Sequence, residues 1–264
     1  MRIYHEVTGA GEPVVLISGL GADAHFWYKQ VSALARAFMV IALDNRDTSR
    51  SAMASGPYSI RDMAEDVKDL LDAIEVDSAH VVGASLGGFI AQEFALAYPQ
   101  RARRLVLCCT SFGGPHAVPI PPETLVVLMN RTGDPERDLR AFLPVQIATD
   151  YLETHAAEVD AYVAWRVSHP QPPEAYQRQL AAAAGHNTED RLGRLQVPVL
   201  ILHGALDRVV PAANAALLAQ RLPRARLHIF PDAGHLFLWE RADESNRLIM
   251  QFLTGTGQTE EERR

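Results

Sequence analysis

The segment around Ser85 contains the residues best suited to chemistry. An apolar strand candidate, Ala79–Gly83, runs directly into Gly83-Ala84-Ser85-Leu86-Gly87, and a helix-forming stretch follows as far as Tyr98. A serine at such a sharp strand-to-helix turn exposes its hydroxyl on a strained backbone, while the flanking glycines let strand and helix approach closely. The start of the helix also directs free N–H groups at an oxyanion formed there. Ser85 is therefore predicted to be a nucleophile rather than a simple packing turn.

A serine hydroxyl is a weak nucleophile at neutral pH, so it needs a general base and a group that orients that base. His235 is the predicted base, because it lies on a loop of small residues directly after the strand candidate Arg226–Phe230. His203 and His228 fall within strand candidates, where structural roles are expected. At most one of the histidines in the middle of the chain is expected to touch a ligand: His116, His155, His169 and His186.

The predicted orienting acid is Asp207, in the loop after the strand candidate Val199–His203. No acidic residue occurs from Leu105 to Pro122, so the loop after the preceding strand cannot supply the acid. Asp232 is a local rival. It lies three residues before His235, where shaping the turn is its expected role. The chain order is then serine, aspartate, histidine.

The elements that position these residues alternate between short apolar runs and helical patterns. Unbroken apolar strands indicate a sheet covered on both faces, and strand–helix alternation indicates a doubly wound, mostly parallel α/β sheet. A helix is predicted after Ser59 as N-cap, because apolar residues recur on one helical face from Ile60 to Ile74. The strand candidates are Val14–Ser18, Phe38–Leu43, Ala79–Gly83, Leu105–Cys109, Val199–His203 and Arg226–Phe230.

One region breaks this alternation. Nine of the 16 prolines lie between Pro115 and Pro173, and no convincing strand occurs there. We expect residues 113–188 to form an all-helical lid inserted into a core of residues 1–112 and 189–253, with a disordered tail at 254–264. Proline suits the first turn of a helix and acids suit its N-terminus. Helices are predicted to start at Pro121-Pro122-Glu123, Asp134-Pro135-Glu136 and Pro172-Pro173-Glu174, and another to cover about Thr154–Ser168.

Composition excludes several classes of protein. A net charge of −7, with no basic and aromatic cluster, argues against binding nucleic acid. No apolar run is long enough to span a membrane, and the N-terminus lacks the apolar core of a signal peptide, so we expect a cytoplasmic protein. The neighbours Cys108 and Cys109 are too close for an ordinary disulfide and are expected to be buried thiols. Neither a metal nor a cofactor is expected. A small-molecule substrate is the expected partner of a monomer or homodimer.

Together these motifs resemble those of the lidded serine α/β-hydrolases. The resemblance is to the branch with small esterases, enol-lactonases, cofactor-free haloperoxidases, methylesterases and carbon–carbon-bond hydrolases. It covers roughly residues 10–253. The stretch 83–88 matches the nucleophile elbow, Asp207 the acid loop, and Gly234-His235 the histidine loop. It implies the α/β-hydrolase fold and a triad of Ser85, His235 and Asp207. Ser85 also excludes haloalkane dehalogenases and epoxide hydrolases, which carry aspartate at the elbow.

The resemblance also implies an oxyanion hole, and it shows two departures from the family pattern. Ser18-Gly19-Leu20-Gly21 stands where the family usually has His-Gly, so the backbone N–H groups of Leu20 and Leu86 are the implied donors. Ser18 replaces the family's structural histidine. In the next loop Asp47 and Ser49 replace two common glycines, and we expect a structural turn there.

The function that follows is cleavage of an ester, lactone or related acyl bond through a covalent Ser85 acyl-enzyme. The inner face of the predicted lid is expected to be largely apolar, and the lid lacks lysine and has its arginines beside acids, so a neutral, small-to-medium apolar substrate is expected. Phe112, Met129 and Trp165 are the predicted pocket residues. Two alternatives stay open: a carbon–carbon hydrolase of the β-diketone type with the same triad, and a small-molecule signal receptor with this fold and little turnover.

Overall fold

A seven-stranded sheet runs through the part of the chain that the computed structural model describes, residues 1–130, 132–148 and 150–256. Its spatial order is β1-β3-β2-β4-β5-β6-β7, and every neighbouring pair is parallel except β1 with β3. The predicted doubly wound, mostly parallel sheet is therefore confirmed. The strands are β1 His5–Thr8, β2 Glu12–Ile17, β3 Phe38–Leu43, β4 Ala79–Ala84, β5 Ala102–Cys108, β6 Val199–Gly204 and β7 Ala225–Phe230.

The strand β1 was not predicted. It is four residues long, lies at the edge of the sheet antiparallel to β3, and is largely exposed. An edge strand of this kind has no buried face, so it lacks the apolar run by which the other six strands were found.

Helices cover both faces of the sheet. Along β2, Val15 and Ile17 belong to one buried cluster, and Val14 and Leu16 to the other. The predicted cap of α2 is confirmed, because Ser59 and Asp62 form a reciprocal capping box. The helices packed on the sheet are α1 Tyr28–Leu34, α2 Ile60–Ala73 and α3 Leu86–Ala97, followed later in the chain by α9 Ala213–Arg221, α10 Phe237–Glu240 and α11 Ala242–Thr254.

The described residues of 113–188 form five further α-helices between β5 and β6 and contain no strand. All three proline-marked helix starts are confirmed. The helix predicted over about Thr154–Ser168 is confirmed as the helix Ala156–Ser168, and a short helix that was not predicted, Tyr151–Thr154, precedes it. These helices are α4 Pro122–Met129, α5 Pro135–Gln146, α6 Tyr151–Thr154, α7 Ala156–Ser168 and α8 Pro173–Ala184.

The predicted tail begins at Thr254, which ends α11, and residues 257–264 lie outside the described residues. No helix in the described ranges combines the length and apolar character needed to cross a bilayer.

The strand order creates a crevice at the carboxyl ends of β2 and β4. The chain passes from β2 to β3 on one side and later resumes at β4 on the other side of β2. Ligands of open α/β sheets bind at such a switch point, because the loops after the two strands diverge there. In this protein those loops are Ser18–Ala22 and the turn at Ser85.

Candidate active site

Ser85 sits on a strained turn between β4 and α3. Its backbone has φ 55° and ψ −118°, a conformation that a residue with a Cβ adopts only when its surroundings impose it. The turn is held by hydrogen bonds from Ser85 N–H to the Cys108 carbonyl and from Gly88 N–H to the Ser85 carbonyl, both 2.9 Å. A Cβ on Gly87 would collide with the carbonyl oxygen of Ile17, so glycine there lets α3 start against β2.

His235 and Asp207 form a buried pair. His235 Nδ1 lies 2.8 Å from Asp207 Oδ2, and the other carboxylate oxygen accepts the N–H groups of Val209 and Val210 at 2.8 Å each. Burial alone would raise the pKa of Asp207, but the charge of His235 and hydrogen bonds from His203 and His235 outweigh it and hold that pKa well below its usual range. His235 also lines the same cavity as Ser85. The structure thus brings the three predicted residues to one place.

A second histidine contacts the acid, although the sequence suggested only a structural role for it. His203 Nε2 is 3.1 Å from Asp207 Oδ2 and 2.8 Å from the carbonyl oxygen of Val210. Because both neighbours are acceptors, Nε2 carries the proton and donates it. The signal in the sequence is its place at the end of β6, four residues before the acid.

The rival acid lies outside this arrangement. Asp232 has an exposed side chain and pairs with Arg241, with 2.9 Å from Arg241 Nε to the carboxylate. It therefore shapes the surface of the His235 loop, as its sequence position suggested.

The structure places both predicted oxyanion donors beside the cavity. Leu20 and Leu86 line it, and in the described part of the chain neither N–H donates to another protein group. Residues 19–22 form a β-turn closed by Ala22 N–H to the Gly19 carbonyl at 3.1 Å. Gly21, with φ 68°, takes the third position, which makes it a type II turn.

Both departures from the family pattern have structural explanations. The Ser18 hydroxyl donates to the Ala22 carbonyl at 3.0 Å and so supports the turn that carries Leu20. Asp47 and Ser49 keep left-handed backbones, φ 65° and 47°, which glycine adopts with less strain. The Asp47 carboxylate also forms a bidentate salt bridge with Arg178 of α8, with hydrogen bonds of 2.7 and 2.9 Å.

The cavity above Ser85 has a volume of about 430 Å³ and a mainly apolar wall. Gly19 to Ala22 and the end of β4 form its floor, and four of the five helices between β5 and β6 contribute to its sides. The helix side chains that line it include Leu128, Leu139, Phe142, Leu143, Tyr162 and Tyr176.

The three predicted pocket residues do not line this cavity. Phe112 is fully buried in the core under Arg221, and Met129 is 56% exposed on the outer side of α4. Trp165 stacks on His25 and donates Nε1–H to Asp23 at 3.0 Å. Helical spacing identified apolar residues of these segments correctly, but the face of each helix that turns toward Ser85 depends on docking.

Among the described residues that line the cavity, Arg166 supplies the one buried guanidinium. It donates to the Gly21 carbonyl and lies 3.3 Å from the buried carboxylate of Asp23. Its charge is therefore balanced inside the protein. Arg131, another arginine of this segment, lies outside the described residues.

Among the described residues, no group of three or more His, Cys, Asp or Glu side chains has the arrangement of a metal site. Cys108 and Cys109 are free and buried, and burial raises the pKa of both thiols. Both therefore stay protonated near neutral pH.

The chain belongs to the alpha/beta hydrolase fold family, whose model matches residues 12–242. RutD of Caulobacter sp. strain K31, named provisionally as a carbamate hydrolase, is 31% identical over 96% of this chain and 96% of its own. The 2-hydroxy-6-oxononadienedioate/2-hydroxy-6-oxononatrienedioate hydrolase of Paraburkholderia phymatum is 32% identical, over 96% and 91%. The crystal structure of the enol-lactonase from Burkholderia xenovorans LB400 superposes with a TM-score of 0.85 at 27% identity, covering 96% of each chain. The protein is a hydrolase.

Proposed function

We propose that this protein is a serine hydrolase that cleaves a carboxylic ester, lactone or related acyl bond of a small, neutral, apolar molecule. The observation that carries the proposal is the buried His235–Asp207 pair at 2.8 Å, which shares one cavity with a strained Ser85. Leu20 and Leu86 line the same cavity, and their backbone N–H groups donate to no other group in the described residues. Nucleophile, base, orienting acid and oxyanion donors are the parts that acyl transfer needs.

The reaction follows from the hydrogen bonds. Because His235 Nδ1–H donates to Asp207, its Nε2 is free to accept the Ser85 proton as Oγ bonds to the carbonyl carbon. The negative charge that develops on the carbonyl oxygen is stabilised by the N–H groups of Leu20 and Leu86. As the bond to the leaving group breaks, the Nε2 proton passes to the departing oxygen. Water then attacks the acyl-enzyme, with His235 again taking a proton and returning it to Ser85.

A neutral substrate is favoured by the charge of the cavity. Arg166 is the buried cation there, and it already faces Asp23 and the Gly21 carbonyl. A substrate carboxylate in the same space would therefore compete with an internal anion. The apolar side chains of α5 and α8 suit an acyl chain or a small ring.

A carbon–carbon-bond hydrolase is the second candidate, because relatives such as the Paraburkholderia phymatum enzyme carry that kind of name at 32% identity. That relative's named substrate is a dioate, whereas the cation of this cavity is already paired. A carbamate, suggested by the name of RutD, contains an acyl bond and falls within the first proposal.

A substrate panel with a nucleophile variant tests the proposal. Wild-type protein is assayed with neutral p-nitrophenyl esters, lactones, carbamates and β-diketones, each with a carboxylated analogue. We expect the neutral acyl compounds to turn over best, and Ser85→Ala, folded by circular dichroism, to lower kcat by roughly 10⁴–10⁶-fold. A folded variant that keeps a tenth of wild-type activity would contradict the assignment of Ser85 as the nucleophile. Tight binding of these compounds with no turnover would favour a receptor.

A further inference from the structure

Gln179 of α8 connects the turn after β2 with the loop after β3. Its side chain is fully buried, and all its hydrogen-bonding groups are used. Oε1 accepts the N–H of Gly21 at 3.0 Å, while Nε2 donates to the Arg46 carbonyl and to Thr48 Oγ1, both at 2.7 Å. The amide therefore joins the Leu20 turn to the loop after β3, from a position 158 residues away in sequence.

The bond to Gly21 acts on the turn that carries an oxyanion donor. In a type II turn the central peptide, here Leu20–Gly21, has one of two opposite orientations, and glycine in the third position permits this one. Gln179 accepts the N–H of that central peptide. Ala22 N–H holds the carbonyl of the Gly19–Leu20 peptide, so the Leu20 N–H on the opposite side points away from the turn.

The same bond decides which N–H groups are free. Gln179 accepts the Gly21 N–H and the Gly19 carbonyl accepts the Ala22 N–H, so the Leu20 N–H is left to meet an oxyanion beside Leu86. A buried peptide N–H that lacks an acceptor destabilises the folded protein unless the peptide rotates toward another acceptor. Loss of the Gln179 amide would therefore leave the turn free to change its orientation.

We propose that Gln179 is a positioning residue for the oxyanion hole: by holding the central Leu20–Gly21 peptide, it keeps the turn in the conformation in which the preceding Gly19–Leu20 peptide offers its N–H to the cavity. This rests on the proposed serine-hydrolase function. The catalytic geometry is then completed by α8, a helix outside the sheet, and not by the loops of the core alone. No oxyanion contact is made by Gln179 itself.

Gln179 also helps to dock α8, so its positioning effect must be separated from docking. The neighbouring Arg178 provides the matched control. It ties the same helix to the same loop through Asp47, but it makes no contact with Gly21. Arg178→Met therefore removes a docking contact of α8 and leaves the Leu20 turn intact.

The test compares Gln179→Met, Gln179→Glu and Arg178→Met with the wild type. Hydrolysis of p-nitrophenyl butyrate gives kcat and KM, and a p-nitrophenyl alkylphosphonate gives the rate at which Ser85 is phosphonylated. Removing an oxyanion donor outright costs about 10²–10³ in kcat, so misplacing one should cost roughly tenfold in both rates, with KM within about twofold. Gln179→Glu keeps an oxygen that accepts from Gly21 and should recover part of the loss.

The outcomes distinguish this proposal from the function on which it rests. A tenfold fall for Gln179→Met, with recovery in Gln179→Glu and near wild-type rates for Arg178→Met, supports it. Equal falls in Gln179→Met and Arg178→Met, or a Gln179→Met rate above half of wild type, overturns it. If Gln179→Met fails to fold, the kinetics of Gln179→Glu decide. A rise in its KM with no fall in kcat overturns the proposal. Wild-type protein that resists phosphonylation overturns the serine-hydrolase function itself.

Discussion

Asp207 shows how one side chain can hold a reaction geometry. Its carboxylate accepts two backbone N–H groups on one oxygen and lies within 3.1 Å of two imidazoles on the other. Four partners leave it a single orientation, and they stabilise the ionised form. The imidazole of His235 is thereby fixed with its Nδ1–H toward the acid.

We predict that Asp207→Asn lowers kcat by about 10⁴-fold, because an amide can donate to Nδ1 and so favours the wrong tautomer of His235. Steady-state hydrolysis of a neutral ester measures the effect. Asp232→Asn is the matched control, since its exposed carboxylate pairs with Arg241 and should lose little activity. The reverse ranking of the two variants would show that the acid has been assigned to the wrong loop.

At the scale of secondary-structure elements, the junction between the helical segment 113–188 and the core shows how one element can make stability sensitive to acid. Two backbone hydrogen bonds link the entering and leaving chain segments at this junction. Gly114 N–H donates to the His186 carbonyl at 3.0 Å, and Thr188 N–H donates to the Phe112 carbonyl at 2.9 Å. The His186 ring stacks on Phe89 of α3, with ring centroids 4.2 Å apart. Burial lowers the pKa of His186 from 6.5 to about 4.

This lowered pKa predicts a loss of stability on acidification. Below pH 6.5 the unfolded chain binds a proton at His186 that the folded chain refuses until about pH 4, so the free energy of unfolding falls as the pH drops between these values. A shift of this size corresponds to about 3 kcal/mol. Urea unfolding at a series of pH values measures it.

The variant His186→Gln removes the titrating group and should flatten this part of the pH profile relative to wild type. Exposed His155 offers the control, and His155→Gln should keep the wild-type slope. A His186→Gln profile parallel to that of the wild type from pH 6.5 to 4 would show that burial of His186 is not the source.

On the scale of the whole molecule, the cavity exists only where the sheet and the inserted helices meet. Its floor comes from the loops after β2 and β4, while its walls come from helices that begin more than 35 residues farther along the chain. Among the side chains that α5 contributes to this wall, Phe142 is the largest.

We predict that Phe142→Ala enlarges the acyl pocket. The ratio of kcat/KM for p-nitrophenyl octanoate to that for the butyrate should rise roughly tenfold, the size expected when a hydrophobic wall gains or loses a few methylene contacts. Val126→Ala on α4 is the control, because Val126 is 64% exposed and faces away from the cavity. An unchanged ratio in Phe142→Ala would place the acyl chain elsewhere.

Local pattern was sufficient for most of the secondary structure and for the candidate triad. Six strands, the Ser59 cap and three proline-marked helix starts follow from residues close together in sequence, because capping and apolar periodicity act over a few residues. The turn at Ser85 has the same origin, since Gly83 and Gly87 are its near neighbours. Asp207 and His235 were identifiable because each follows a strand whose carboxyl end lies at one edge of the sheet.

Tertiary structure alone decided what surrounds that candidate triad. The predicted pocket residues Phe112, Met129 and Trp165 point elsewhere, since helical periodicity marks a buried face without saying which neighbour buries it. Gln179 reaches Gly21 across 158 positions, and no local signal marks such a pair. The sequence by itself determined the fold, the order of serine, aspartate and histidine, and the strained turn, all of which depend on short-range sterics and strand order. The wall of the cavity, the partner of Arg166 and the support of the Leu20 turn depended on how distant helices pack.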